Sequence, residues 1–79
     1  MIDWSKCPAV ESEPGRVGGA WVFTGTRLPV SALFGNLAAG ANIEEFLDWF
    51  PVAERWQVEA VLEYVVENLD AKVKHENPV

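Results

Sequence analysis

Between Val30 and Leu69 one apolar spacing recurs three times. Val30, Leu33, Phe34 and Leu37 fall at i, i+3, i+4 and i+7, and Ile43, Phe46, Leu47 and Phe50 repeat the pattern. Val58, Val61, Leu62, Val65 and Leu69 then carry it on to i+11. Residues three and four apart share a face of an α-helix, so each set draws one apolar stripe. Three short helices joined by linkers of roughly 3–5 residues bury such stripes against one another as a small orthogonal bundle.

The residues between the stripes set the expected boundaries. Ser31 reads as an N-cap and Gly40 as a stop, which predicts a helix over about 31–39. Asn42 followed by Glu45 has the form of a capping box, and Pro51 ends the next helix, which predicts 43–50. The third helix is expected over about 54–70. Glu54 suits its positive end, and Lys72 and Lys74 lie near its negative end. The second and third helices, joined by Pro51-Val52-Ala53, form a helix-turn-helix pair.

Upstream the periodicity disappears. Residues 1–16 read as an irregular arm with at most short extended pieces, broken by Pro8, Ser12, Pro14 and Gly15. Residues 17–70 form the domain. Within it, Ala20 to Thr24 is a β-rich run, followed by the turn residues Gly25-Thr26 and then Arg27-Leu28-Pro29-Val30. This arrangement predicts a short β-hairpin, or strands that pair with a second copy. Pro29 cannot donate to a ladder, so its segment should be short or an edge. Residues 71–79 are expected to be a flexible tail.

At 79 residues the chain has room for one core. Cys7 is the single cysteine and His75 the single histidine, so neither an internal disulfide nor a tetrahedral zinc site is available. No metal or cofactor is expected, and self-association remains as the support a small core needs. The N-terminus has no long apolar run, which gives the expectation of a cytoplasmic protein with no membrane contact. No catalytic residues are assigned. Glu59, Glu63 and Glu67 lie at i, i+4 and i+8 as a solvated face, and no histidine or phosphate-binding glycine loop accompanies them.

The net charge of −6 resides in one half of the chain. In residues 1–40, Lys6, Arg16 and Arg27 cancel Asp3, Glu11 and Glu13, so residues 41–79 carry the whole excess. The helical half is the acidic half. In a helix-turn-helix the exposed start of the second helix meets the major groove, and here that face offers Arg55, Trp56, Glu59, Ala60 and Glu63. Phosphate attraction needs several cations, which one arginine beside two glutamates does not supply. Arg16, Arg27 and Arg55 are the candidate DNA or phosphate contacts, and the Arg16, Arg27 and Lys6 of a dimeric arm would suffice for weak binding only. On a helical wheel Trp56 falls nearly opposite Val58, Leu62 and Val65, off the core, and beside Glu59, Glu63 and Glu67. Trp56, Glu59, Glu63 and Glu67 are therefore the candidate contact for a basic protein partner. The alternative for Trp56 is packing back over Pro51 or the second helix. At Gly25-Thr26-Arg27 the structural reading is a positive φ at Gly25 and a turn hydrogen bond at Thr26, with Pro29 following. Arg27 is then either a contact residue or an ion-pair partner of the helix acids.

The ordered series Gly25-Thr26-Arg27-Leu28-Pro29-Val30, then Leu33, Leu37, Gly40 and Phe50-Pro51, resembles a small prokaryotic family known as domain of unknown function 433. The resemblance extends over the segment from Arg16 and the helices through Leu69. It implies a mainly α, homeodomain-like three-helix fold preceded by short strands. It also implies the antitoxin of a type II toxin-antitoxin pair, whose partner is a PIN-like ribonuclease. A Ser or Thr cap is usual before the third helix in that family, whereas this chain has Ala53-Glu54.

The expectation drawn from residues and resemblance together is a non-catalytic antitoxin-like protein. It would neutralise a basic ribonuclease toxin through the acidic helical surface, dimerise through its N-terminal strands, and autoregulate its operon. The rival expectation is a dimeric helix-turn-helix transcriptional regulator with no toxin partner.

Overall fold

Phe23 and Phe46 meet at the centre of the protein with ring centroids 6.4 Å apart, and both are fully buried. One comes from the strand region and the other from the second predicted helix, so this contact joins the two halves of the chain. The computed structural model describes residues 2–15 and 17–69. Strands β1 (Val10–Glu11) and β2 (Val22–Phe23) pair antiparallel, with Val10 opposite Phe23. Helices α1 (Val30–Ala38), α2 (Ile43–Trp49) and α3 (Arg55–Leu69) follow. The fold is mainly helical, three helices behind a short two-stranded sheet. The proposed tail at 71–79 lies outside the described residues.

The sheet draws its strands from a wider span than the sequence predicts. The Ala20–Thr24 run does become a strand, but its ladder partner is Val10–Glu11 from the arm. The Arg27–Val30 segment lies on the other side of β2 through a single bridge between Val22 and Pro29. Alternation along β2 explains how both neighbours are served. The Phe23 N–H donates to the Leu28 carbonyl at 3.0 Å, and the Thr24 N–H donates to the Ala9 carbonyl at 2.9 Å. Pro29 sits opposite Val22 at a position where the ladder needs no N–H. It lies between the Phe23–Leu28 bond and a Val30 N–H bond to the Trp21 carbonyl at 2.9 Å, and the pairing ends where α1 begins.

That bridge also moves the start of the first helix. Ser31 does not cap it: the N-cap is Pro29, without a side-chain cap, and the helix runs over Val30–Ala38 rather than 31–39. The Val30 N–H donates to the Trp21 carbonyl at 2.9 Å, so the turn begins immediately after Pro29 and Ser31 lies inside it. The far end is as expected. Gly40 has φ +105°, and the Ala41 N–H reaches back to the Asn36 carbonyl at 3.0 Å while the Gly40 N–H reaches Leu37. These two bonds form a Schellman cap. Asn42 and Glu45 make both halves of the capping box on α2, and Phe50 is its C-cap. Glu54 is the residue before α3 rather than its first.

The core gathers Leu33 from α1, Phe46 from α2, and Val58 and Val61 from α3 over Val10 and Phe23 of the sheet. Phe50 adds a ring 4.9 Å from that of Phe46. Trp4 packs the arm onto α3 by stacking on Tyr64 at 5.5 Å, and the Tyr64 hydroxyl donates to the Asp3 carbonyl. Val17 is the one described residue other than glycine with positive φ, at +50°, ahead of Gly18 at +65°. A β-branched side chain is strained in that region.

Two substitutions test this arrangement by urea unfolding. Phe46→Ala is expected to cost about 3–5 kcal/mol, because a fully buried ring at the sheet–helix junction leaves a cavity. Val17→Asn should instead stabilise by about 0.5–1 kcal/mol, since Asn tolerates the left-handed region and Val17 is exposed.

Candidate functional site

The exposed face of α3 begins at Arg55 and carries Trp56, Glu59, Glu63 and Glu67, all solvent-exposed. Their spacing follows from the apolar stripe: once Val58 and Val61 are buried, these positions must turn outward. Trp56 is 50 % exposed and does not lie in the core. Its indole N–H donates to the Glu54 carboxylate at 3.0 Å, which holds the ring over the start of the helix.

Arg55 is not available as a free cation. Its guanidinium donates to Glu44 in the first turn of α2 and lies 3.7 Å from Glu59, one turn further along α3. The hydrogen bond to Glu44 is the main reason its pKa is raised, and the charges of Glu44 and Glu59 act in the same direction. Glu44, Glu45 and Asp48 on α2 and Glu54, Glu59, Glu63 and Glu67 on α3 are all exposed. The one described cation among these two helices is therefore already held between two acids.

The other candidate contacts lie elsewhere. Gly25 has φ +81°, and its N–H donates to the Glu11 carboxylate at 2.9 Å. The Thr26 hydroxyl donates to the Phe23 carbonyl at 2.8 Å and accepts from the Leu28 N–H at 3.0 Å, closing the turn on itself. Arg27 is exposed at the rim of a small cleft with Glu11, and among the described residues it makes no salt bridge. An anion would meet Arg27 there, but the Gly25 amide is already bonded to a carboxylate. Arg16 lies outside the described residues. Among those described, no three His, Cys, Asp or Glu side chains form a metal-binding group.

Gln57 is a further residue of this region that the apolar stripes and charges did not single out. It is 4 % exposed, the one buried polar residue in the described core. Its Oε1 accepts from the Glu54 N–H at 2.9 Å, and its Nε2 donates to the Thr24 carbonyl at 3.0 Å. Gln57 thus caps α3 from inside the helix and ties it to the strand-end residue before Gly25. It supplies half of a capping box where the Ser or Thr cap is missing. A glutamine three residues after an N-cap position was a usable signal, but Glu54 at the cap hid it.

Gln57→Ala strands both the Thr24 carbonyl and the Glu54 N–H, and is expected to cost about 2–3 kcal/mol in urea unfolding. Arg55→Ala, on the exposed face, should leave the urea midpoint close to that of the wild type. Equal effects from the two substitutions would rule out Gln57 as the link between α3 and the turn.

Comparison with known proteins places this geometry. No match is found among curated proteins. A crystal structure of a DUF433 member from Anabaena variabilis superposes with a TM-score of 0.67 at 26 % identity, over 86 % of this chain. The alignment spans 66 % of that protein's length, so the Anabaena chain is the longer of the two. The sequence profile of the family described as "Protein of unknown function (DUF433)" matches residues 10–65, from β1 through most of α3. This chain belongs to the DUF433 family.

Proposed function

We propose that the protein is a non-catalytic binding protein of the antitoxin type, which uses the exposed face of α3 against a basic protein partner. The observation that carries this reading is the pairing of Arg55 with Glu44 and Glu59. It leaves the helix that would read DNA with acids and an exposed Trp56 toward solvent. A negative face with an aromatic anchor suits a protein whose own groove binds nucleic acid, because the same groove attracts carboxylates. A ribonuclease toxin encoded beside this gene is the partner class that the resemblance implies. Its inhibition would follow from the acids occupying the cationic groove and excluding RNA.

The charge pattern opposes direct DNA reading. Contacts to phosphate would have to come from Arg27 and Lys6, which lie on the turn and the arm rather than on α3. Autoregulation of the operon is then a property of the complex, in which the partner brings the cations.

Co-expression with the product of the neighbouring gene tests the reading. The two proteins are expected to copurify, and this chain should suppress the partner's ribonuclease activity. Glu59→Lys with Glu63→Lys should weaken the complex by at least about tenfold, with wild-type affinity falling as salt is raised. Strong, salt-sensitive retardation of promoter DNA by this protein alone would instead identify a transcriptional regulator.

A further inference from the structure

α3 is longer than anything it packs against. Its 15 residues run about 22 Å, whereas the 9 of α1 and 7 of α2 reach only about 13 and 10 Å. Tyr64 is its last described residue packed against the core. Beyond it, Val66 is 61 % exposed and Leu69 is 67 % exposed.

These residues are ordered rather than scattered. Leu62, Val66 and Leu69 fall at i, i+4 and i+7, the spacing with which one helix seats against another. Leu62 is half-buried and packs against the core, and the stripe continues from it onto the exposed Val66 and Leu69, beside the buried Val58 and Val61. Leu62, Glu63, Val66 and Glu67 line an open groove of about 400 Å³ along it. Glu59, Glu63 and Glu67 give that groove a flank of one sign, and Arg55, the only cation of α3, is held by Glu44 and Glu59. A second copy laying its own α3 here would bring acids against acids, whereas a basic helix meets opposite charge.

We propose that Leu62, Val66 and Leu69 form a seam for an amphipathic helix of a partner protein whose flanking positions carry Lys or Arg. This rests on the reading of α3 as a protein-binding face and narrows it. Apolar contact along the seam supplies affinity, and the glutamates select the partner.

Two synthetic helical peptides with the same leucine heptads, one flanked by Lys and the other by Glu, are titrated calorimetrically into the full chain. The Lys-flanked peptide is expected to bind at least about tenfold more tightly than the other. Val66→Ala combined with Leu69→Ala removes only exposed apolar surface and keeps good helix formers, and should weaken that binding by about tenfold. Equal affinity for the two peptides, no binding of either, or indifference to the alanine pair overturns the seam. Sedimentation adds a further check: a wild-type oligomer that the alanine pair dissociates assigns the seam to a second copy. The neighbouring gene product separates the two claims. If it binds the wild type and the alanine pair equally, the seam is wrong and the reading of function stands. If it does not bind the wild type, that reading fails, and the peptide titration still decides the seam.

Discussion

A single buried amide holds the parts of this protein in register. The strand end and the α3 helix are separated by 33 residues, and the Gln57 side chain bonds to both, accepting from Glu54 and donating to Thr24. An amide is suited to this role because it offers an acceptor and donors on one planar group. Charged Glu would place two acceptors where one donor is needed. The link fixes where the first turn of α3 lies relative to the Gly25 turn, and hence which α3 side chains face water. Among the described residues no buried side-chain polar atom lacks a partner, so the cost of burying the amide is met in full.

With α3 fixed in this way, the electrostatics of the surface follow. Arg55 lands within reach of Glu44 at the start of α2, so the one described cation of α3 becomes a connector between two helices. The pair is exposed and worth little in stability. Its consequence is to set two carboxylates beside the one described cation of α3, which leaves the exposed face of the helix acidic on balance.

The far end of α3 supplies the second feature of the surface. α3 is longer than α1 or α2, and beyond Tyr64 its apolar residues Val66 and Leu69 are exposed. The DUF433 profile ends at residue 65, close to where α3 leaves the core at Tyr64. Among the described residues no helix is long and apolar enough to cross a membrane.

The three helices, the Gly40 stop, the Asn42–Glu45 capping box and the break at Pro51 were all legible in the sequence, because each depends on residues within a turn of one another. Helical periodicity and capping are local physics, and local residues state them. Tertiary structure decided the rest. Ser31 lost its capping role because the Trp21 carbonyl, nine residues before Val30, engages the Val30 N–H and starts the helix early. Val10 and Glu11 became a strand only because β2 was there to pair with them. The stripe from Val58 to Leu69 reads as one continuous apolar face, yet only Val58 and Val61 are fully buried, Leu62 and Val65 are half-buried, and Leu69 is exposed. The buried Gln57 amide finds its second partner only because Thr24, 33 residues away in the chain, is brought beside it. The sequence determined which segments are helical. Which of their side chains are buried, paired or left to a partner depended on contacts between residues far apart in the chain.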